Sequence, residues 1–409
     1  MTDKISQPRM YLALGLILNI CLGTVYSWSV FRVPLEVHFT AGAVASGLPY
    51  MIMLAVFSLT MPVAGTVLKR IGPRQTALIG GVLLGAGWIG SSWAPTIAAV
   101  SLFWGGLGGV GVGLTYVVPL TMAHAWFPRR RGLAMGLVLG GFGMSPFVTA
   151  PIAELIIERI DVLAAFRILG IAFAVLIPVL AASFRMPQVD GEADRRATAT
   201  QTAAGGRALL TPRGMIKTRE FYALWVALLL GSIIGLGAIA ITAPWAQRIV
   251  GLTGGAAALA VSILAIFNGV GRPLFGFLTD HLGLRRTAVS AFVMSAVATT
   301  ALILDTGNSV YSFAGAFAIF WLLLGGWLAI APAATALLFG PVSYPQNYGI
   351  VFQAYGLGAI LGTLYSGRLN ELFGSYRAVL WPMLVAGVVG VVVSWWGFSR
   401  VRAREYHQK

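Results

Sequence analysis

The stretch IFNGVGRPLFGFLTD, residues 266–280, contains one arginine, Arg272, and no other charge until Asp280; the preceding charged residue is Arg248. Asp280 marks the inner end of an apolar segment. Eight residues at about 1.5 Å each put Arg272 roughly 12 Å inside it, near the middle of a hydrocarbon layer about 30 Å thick. An arginine there costs about 2.5–3.5 kcal/mol even on a lenient insertion scale, so it faces a partner or a cavity. Of the 13 acidic residues, all but Glu154 fall in loops or at segment ends, and Glu154 is too shallow to be the natural partner. The missing anion is therefore expected from solution, and the planar fork of a guanidinium suits a carboxylate bidentately. The alternative is pairing with Glu154 or with backbone carbonyls.

Asn268, four residues earlier, shares a helix face with Arg272 and is expected either to orient it, to donate to the same ligand, or to act as a helix-packing hydrogen bonder. Around the cation the reading gathers Tyr26 and Trp28, Tyr116, Trp321 and Trp327, and Gln353 and Tyr355, with Tyr116 and Tyr355 preferred. Tyrosine hydroxyls can bond a carboxylate while the rings exclude water. Residues 350–367 contain no Lys or Arg. One buried positive charge neutralises one carboxylate, whereas a dianion would leave a charge unpaired in low dielectric, so a monoanion is favoured.

Other chemistries find little support. The one cysteine, Cys21, and the scattered His38, His124, His281 and His407 make no metal set; only His124 invites a test of pH dependence. Gly108–Gly113 contains a G-x-G pattern without a preceding strand, so no nucleotide site is read. With no nucleophile–base pair at depth, the chain is not expected to be an enzyme, and no cofactor is expected.

These residues need membrane helices to carry them. The 409-residue chain is 58% hydrophobic and only 10% charged, with 51 glycines. Soluble domains carry about 25% charge, so this is membrane composition. Twelve spans are predicted, at 10–31, 44–68, 76–94, 97–125, 133–157, 163–184, 221–245, 255–279, 287–304, 309–339, 350–370 and 378–399. The expected fold is thus all-α, two six-helix bundles (1–184 and 221–409) joined by a polar linker (185–220). With the N-terminus inside, 21 of the 28 Lys and Arg fall on the inner side, 6 outside or at outer helix ends, including Arg32, and Arg272 between. That bias puts both termini and the linker in the cytoplasm and explains the net charge of +15 without nucleic acid. The glycine stripe Gly105, Gly109, Gly113 is read as close helix packing.

The halves repeat. PVAGTVLKRIGPRQTA (62–77) matches PLFGFLTDHLGLRRTA (273–288) at six of sixteen positions, an offset of 211. Aromatic-Pro-x-x-x-Gly recurs at 127–132 and 344–349. Bundles related by an axis along the membrane normal are one repeat architecture of secondary transporters.

In these features the chain resembles the major facilitator superfamily, whose loop signature G-x-x-x-D-R/K-x-G-R-R/K is similar to Gly65…Gly72-Pro73-Arg74 and Gly276…Asp280…Gly283-Leu284-Arg285. Gly65, Gly72, Gly276, Gly283, Asp280 and Arg285 are accordingly expected at a gating turn, the glycines allowing a short, close-packed connection. Lys69 replaces the acid in the first copy. Thr24–Trp28, Trp126–Gly132, Asn347–Gly349 and Ala354–Gly358 resemble the oxalate:formate antiporter and monocarboxylate porter branch. The resemblance implies a secondary transporter of a small carboxylate in the cell (inner) membrane, acting as a monomer. Branch members often carry D-x-x-x-R where this chain has Asn268-x-x-x-Arg272, so coupling to a proton stays open. A lactate- or pyruvate-like monocarboxylate is favoured; oxalate/formate exchange and a non-transporting anion sensor or channel are the rivals.

Overall fold

A computed structural model describes residues 3–127, 131–185, 210–340 and 343–399, apart from the side chains of 3–8, 124, 131–133 and 345. The His124 side chain, most of the linker (186–209) and the extreme termini lie outside the described residues. No strand occurs among the described ones.

Among the described residues, eleven helices are long and apolar enough to cross a membrane. They are α1 (Arg9–His38), the double-length Ala43–Ser91, α4 (Ile97–Ala123), α5 (Ala134–Arg159), α6 (Val162–Ala182), α7 (Arg219–Arg248), α8 (Gly254–Leu282), α9 (Leu284–Leu304), α10 (Val310–Phe339), α11 (Gln346–Phe373) and α12 (Tyr376–Gly397). The 49-residue helix is broken at Gly72, whose φ of 81° and ψ of 169° are not helical. Its two parts, α2 (43–71) and α3 (73–91), restore twelve spans. Gly283, between α8 and α9, takes nearly the same angles, φ 79° and ψ 158°. The positions are 211 apart, the offset of the sequence repeat. A side chain would make this left-handed turn costly, which is why both copies keep glycine there.

Three expectations need adjustment. The first helix was expected to stop at residue 31 but continues to His38, with a tight 3-10 turn at Gly23–Ser27 in its middle. Gly65 and Gly276 have no neighbour within 4 Å of where a Cβ would sit, so close packing is not their role in this conformation. The end of the linker, a surface segment, is tied down: Leu210 N–H donates to Phe339 O (3.1 Å), and Asn347 Nδ2 donates to Leu210 O (2.9 Å), joining it to α10 and α11. The stripe Gly105, Gly109, Gly113 does lie on α2, where added Cβ atoms would meet the carbonyls of Pro49, Met53 and Phe57.

Candidate functional site

Helix α8 owes its position to small residues on either side of Arg272. A Cβ on Gly271 would come within 2.1 Å of Leu322 O on α10, and one on Gly325 equally close to Asn268 O, so glycine alone lets α8 and α10 touch backbone to backbone. On the other face Gly269 lies against Met144 of α5, and Ser262 Oγ donates to Phe147 O at 2.7 Å. Arg272 is thereby fixed at the seam between the two bundles.

Its side chain is buried, 3% exposed, and Nε, Nη1 and Nη2 all lack a hydrogen-bond partner among the described residues. Neither of the two described ion pairs includes it. Glu154 does not reach it; its carboxylate lies instead at Gly254, the outer start of α8. The guanidinium carbon sits 5.8 Å from the ring centroid of Phe142 on α5. Such a contact returns about 2 kcal/mol or somewhat more when desolvated and uses the face of the guanidinium, leaving its N–H donors unanswered, whereas stripping one partner from a buried pair costs about 3–5 kcal/mol. The balance favours an incoming anion.

Phe142 is the hub of an aromatic cage. Tyr26 and Tyr116 each meet it edge-on with centroids 5.2 Å apart, and Phe57 stands 6.2 Å away. Tyr116 and Arg272 thus meet at the same ring. Tyr26 comes from the 3-10 turn of α1, where the tighter winding re-aims the side chain. Its hydroxyl shares a 2.7 Å hydrogen bond with that of Tyr355 on α11, linking the bundles. Each hydroxyl has one proton, so the pair keeps one for another acceptor.

Other expected site residues lie elsewhere. Trp28 belongs to an aromatic cluster of the N-terminal bundle, 4.3 Å from Trp104, and donates through Nε1 to Ser46 O at 3.0 Å. Trp321 donates through Nε1 to Thr242 Oγ1 (3.1 Å) within the C-terminal bundle. Trp327 packs on Phe292 with centroids 4.9 Å apart and fills the space left by Gly231. Asn268 Nδ2 donates to Trp321 O at 3.1 Å, which staples α8 to α10, while its Oδ1 has no donor among the described residues. Gln353 Nε2 donates to Ser58 O at 2.8 Å, a bridge from α11 to α2 rather than to the cation. Asp280 is exposed and forms no ion pair among the described residues. Arg285 stacks on Trp395 instead of pairing with it.

The end of the seam at the α1–α2 turn, where the sequence reading placed Arg32 only as a helix-end cation, is closed by charge. Arg32 is fully buried and donates through Nη1 to Ala240 O of α7 (3.0 Å), through Nη2 to Ala43 O and through Nε to Ser46 Oγ. Glu36 pairs with Arg248 and accepts from Ser46 Oγ (2.6 Å). Glu371 of α11 accepts from Val44 N–H (2.9 Å), capping the otherwise uncapped start of α2 from the opposite bundle. Tyr376 lies 5.8 Å from Arg32 and 6.0 Å from Arg248, ring centroid to guanidinium. The only signal in the sequence was Arg32-x-x-x-Glu36, an i,i+4 pair at a helix end. Toward the opposite end, Gly136 and Gly140 of α5 and Gly276 of α8 meet no neighbour among the described residues. The seam is closed at the Arg32 end.

A sequence model of the Major Facilitator Superfamily matches residues 12–245 and again 228–409. The chain is 27% identical over 380 residues to the oxalate:formate antiporter of Oxalobacter formigenes, covering 93% of this chain and 89% of that one. With monocarboxylate transporter 12 of Mus musculus it shares 25% identity over 377 residues, 86% and 76% of the respective chains. A bacterial homologue of the human lysosomal transporter Spinster superposes with a TM-score of 0.70 at 14% identity, covering 95% and 96%.

Proposed function

The chain belongs to the Major Facilitator Superfamily, and from that premise we propose that this secondary transporter carries a small monocarboxylate, such as lactate, pyruvate or formate. Alternating access of the two bundles about Arg272 moves it across the cell inner membrane, with both termini on the cytoplasmic side. The observation that carries the reading is the buried guanidinium with three unpartnered nitrogens. A carboxylate entering from the inner side pairs with Arg272 and accepts from the Tyr116 hydroxyl, and the Tyr26–Tyr355 pair closes the cage on the outer side. The neutralised complex lowers the cost of moving charge through a low-dielectric interior.

Counterflow of labelled L-lactate in proteoliposomes tests this reading. Arg272→Gln abolishes exchange and Arg272→Lys leaves a weakened remnant, because an ammonium keeps the charge without the bidentate fork. Undiminished exchange by Arg272→Gln would discard the role. Exchange of oxalate for formate is the second reading, supported by the name of the Oxalobacter formigenes relative. Against it stands Tyr355, on the helix where a dianion would need a second cation. Inhibition of lactate exchange by lactate itself but not by oxalate separates the two. Stoichiometric, saturable counterflow also excludes a channel or a sensor. Neither a proton site nor a direction of coupling is assigned, since Asn268 stands where an acid would be needed.

A further inference from the structure

Helices α9 and α12 pack side by side in the C-terminal bundle, with Gly387 against Ser295 and Gly390 against Phe292. Val293 and Val297 of α9 and Val385 and Val392 of α12 are all exposed. In a bilayer, acyl chains cover such a face. What distinguishes this face is its inner end. There the guanidinium of Arg285 lies flat over the Trp395 ring, 3.8 Å from the centroid, and its Nε is sealed from solvent without an acceptor among the described residues. Arg219, at the start of α7, donates through Nη2 to Trp396 O at 2.8 Å and so reaches the same last turn of α12. Arg286 is exposed beside them.

No carboxylate pairs with these charges among the described residues. The two described ion pairs, Arg248–Glu36 and Arg368–Glu371, both lie at the outer end of the molecule. Glu220, next to Arg219, forms no ion pair among the described residues. Stacking on an indole uses the face of a guanidinium and leaves its in-plane N–H donors free for a phosphate fork. Trp395 and Trp396 are 51% and 63% exposed, as expected of aromatic rings at headgroup level. Basic side chains beside exposed tryptophans, with an apolar helix face leading away from them, suit a lipid with an anionic headgroup.

We infer that the inner end of the α9–α12 face binds an anionic phospholipid, its phosphate held by Arg285 with Arg286 and Arg219 adding field, and its chains laid along the exposed valines. The site is separate from the carboxylate site and does not depend on it. The test uses the full-length protein in detergent, titrated with dioleoylphosphatidylglycerol, dioleoylphosphatidylcholine or inorganic phosphate, with binding followed by thermal shift and by native mass spectrometry. Phosphatidylglycerol stabilises and stays bound, and phosphatidylcholine does neither. Arg285→Gln weakens phosphatidylglycerol binding about fivefold, the worth of one basic residue near an anionic surface. Should that variant fail to fold, Trp395→Leu, which removes the stacking platform, shows the same loss. Equal binding of the two lipids, or unchanged phosphatidylglycerol affinity in the folded variants, overturns the inference. Stabilisation by inorganic phosphate as strong as by phosphatidylglycerol would make this a soluble-phosphate site and overturn the lipid assignment.

Discussion

Substituting Glu36 by glutamine probes the outer closure most cleanly, because that carboxylate joins α1 to α7 and also holds Ser46 of α2. The Glu36 side chain is 8% exposed but its partner Arg248 is 40% exposed. On losing the charge, Arg248 can turn to water, so the full penalty of a stranded buried ion does not apply. What goes is a charge-assisted hydrogen bond, partly offset by the amide that replaces it, or about 1–2 kcal/mol of the closed state. That changes the closed-to-open ratio by roughly 5–30-fold. The readout is a cysteine placed at Thr363, which is fully buried on α11 with its methyl against Gly47 of α2. A membrane-impermeant maleimide added outside reaches it only when the seam parts. With Glu36→Gln the labelling rate rises by that factor, and 1 M salt gives a smaller rise, since a half-exposed pair is only partly screened. A rate unchanged within twofold would refute the view that the ion pair holds the seam.

Further consequences concern the site and its supports. Tyr116→Phe raises the KM for lactate counterflow roughly 10- to 150-fold without moving the melting temperature, the loss of one hydrogen bond to a charged ligand, worth about 1.5–3 kcal/mol. Trp28→Phe, which removes the donor to Ser46 O, lowers thermal stability by about 1 kcal/mol and leaves the KM where it was. Gly271→Ala must push α8 from α10, because its Cβ would stand 2.1 Å from Leu322 O. A large drop in melting temperature is expected, against little change for Gly276→Ala, which meets nothing.

Much of the architecture was written in hydropathy and repeat. The spans, the doubling at an offset of 211 and the lone cation on α8 follow from composition and spacing, because lipid forces apolar runs of a set length. Arg32 was read as a helix-end cation, and its burial escaped notice for a physical reason. With Pro34 and Glu36 nearby it reads as a helix end, yet Ala240 O, 208 residues away, lets the helix bury it. The tryptophans were right in type and wrong in place: membrane helices are apolar on every face, so periodicity does not say whether Trp28, Trp321 or Trp327 points at the seam or into its own bundle. Phe142 carried no signal at all, being a plain aromatic among glycines. Tyr26, Tyr116 and Tyr355 do converge with it near Arg272, since three hydroxyls from three helices find room only where the bundles meet.

Calorimetric titration of the purified protein with L-lactate speaks to the buried guanidinium most directly. Wild type shows one saturable site, and Arg272→Gln loses at least about a hundredfold in affinity, the equivalent of a buried charge pair broken at 3–5 kcal/mol. Lactate binding by Arg272→Gln within threefold of wild type would contradict the claim that the cargo supplies this arginine's missing anion.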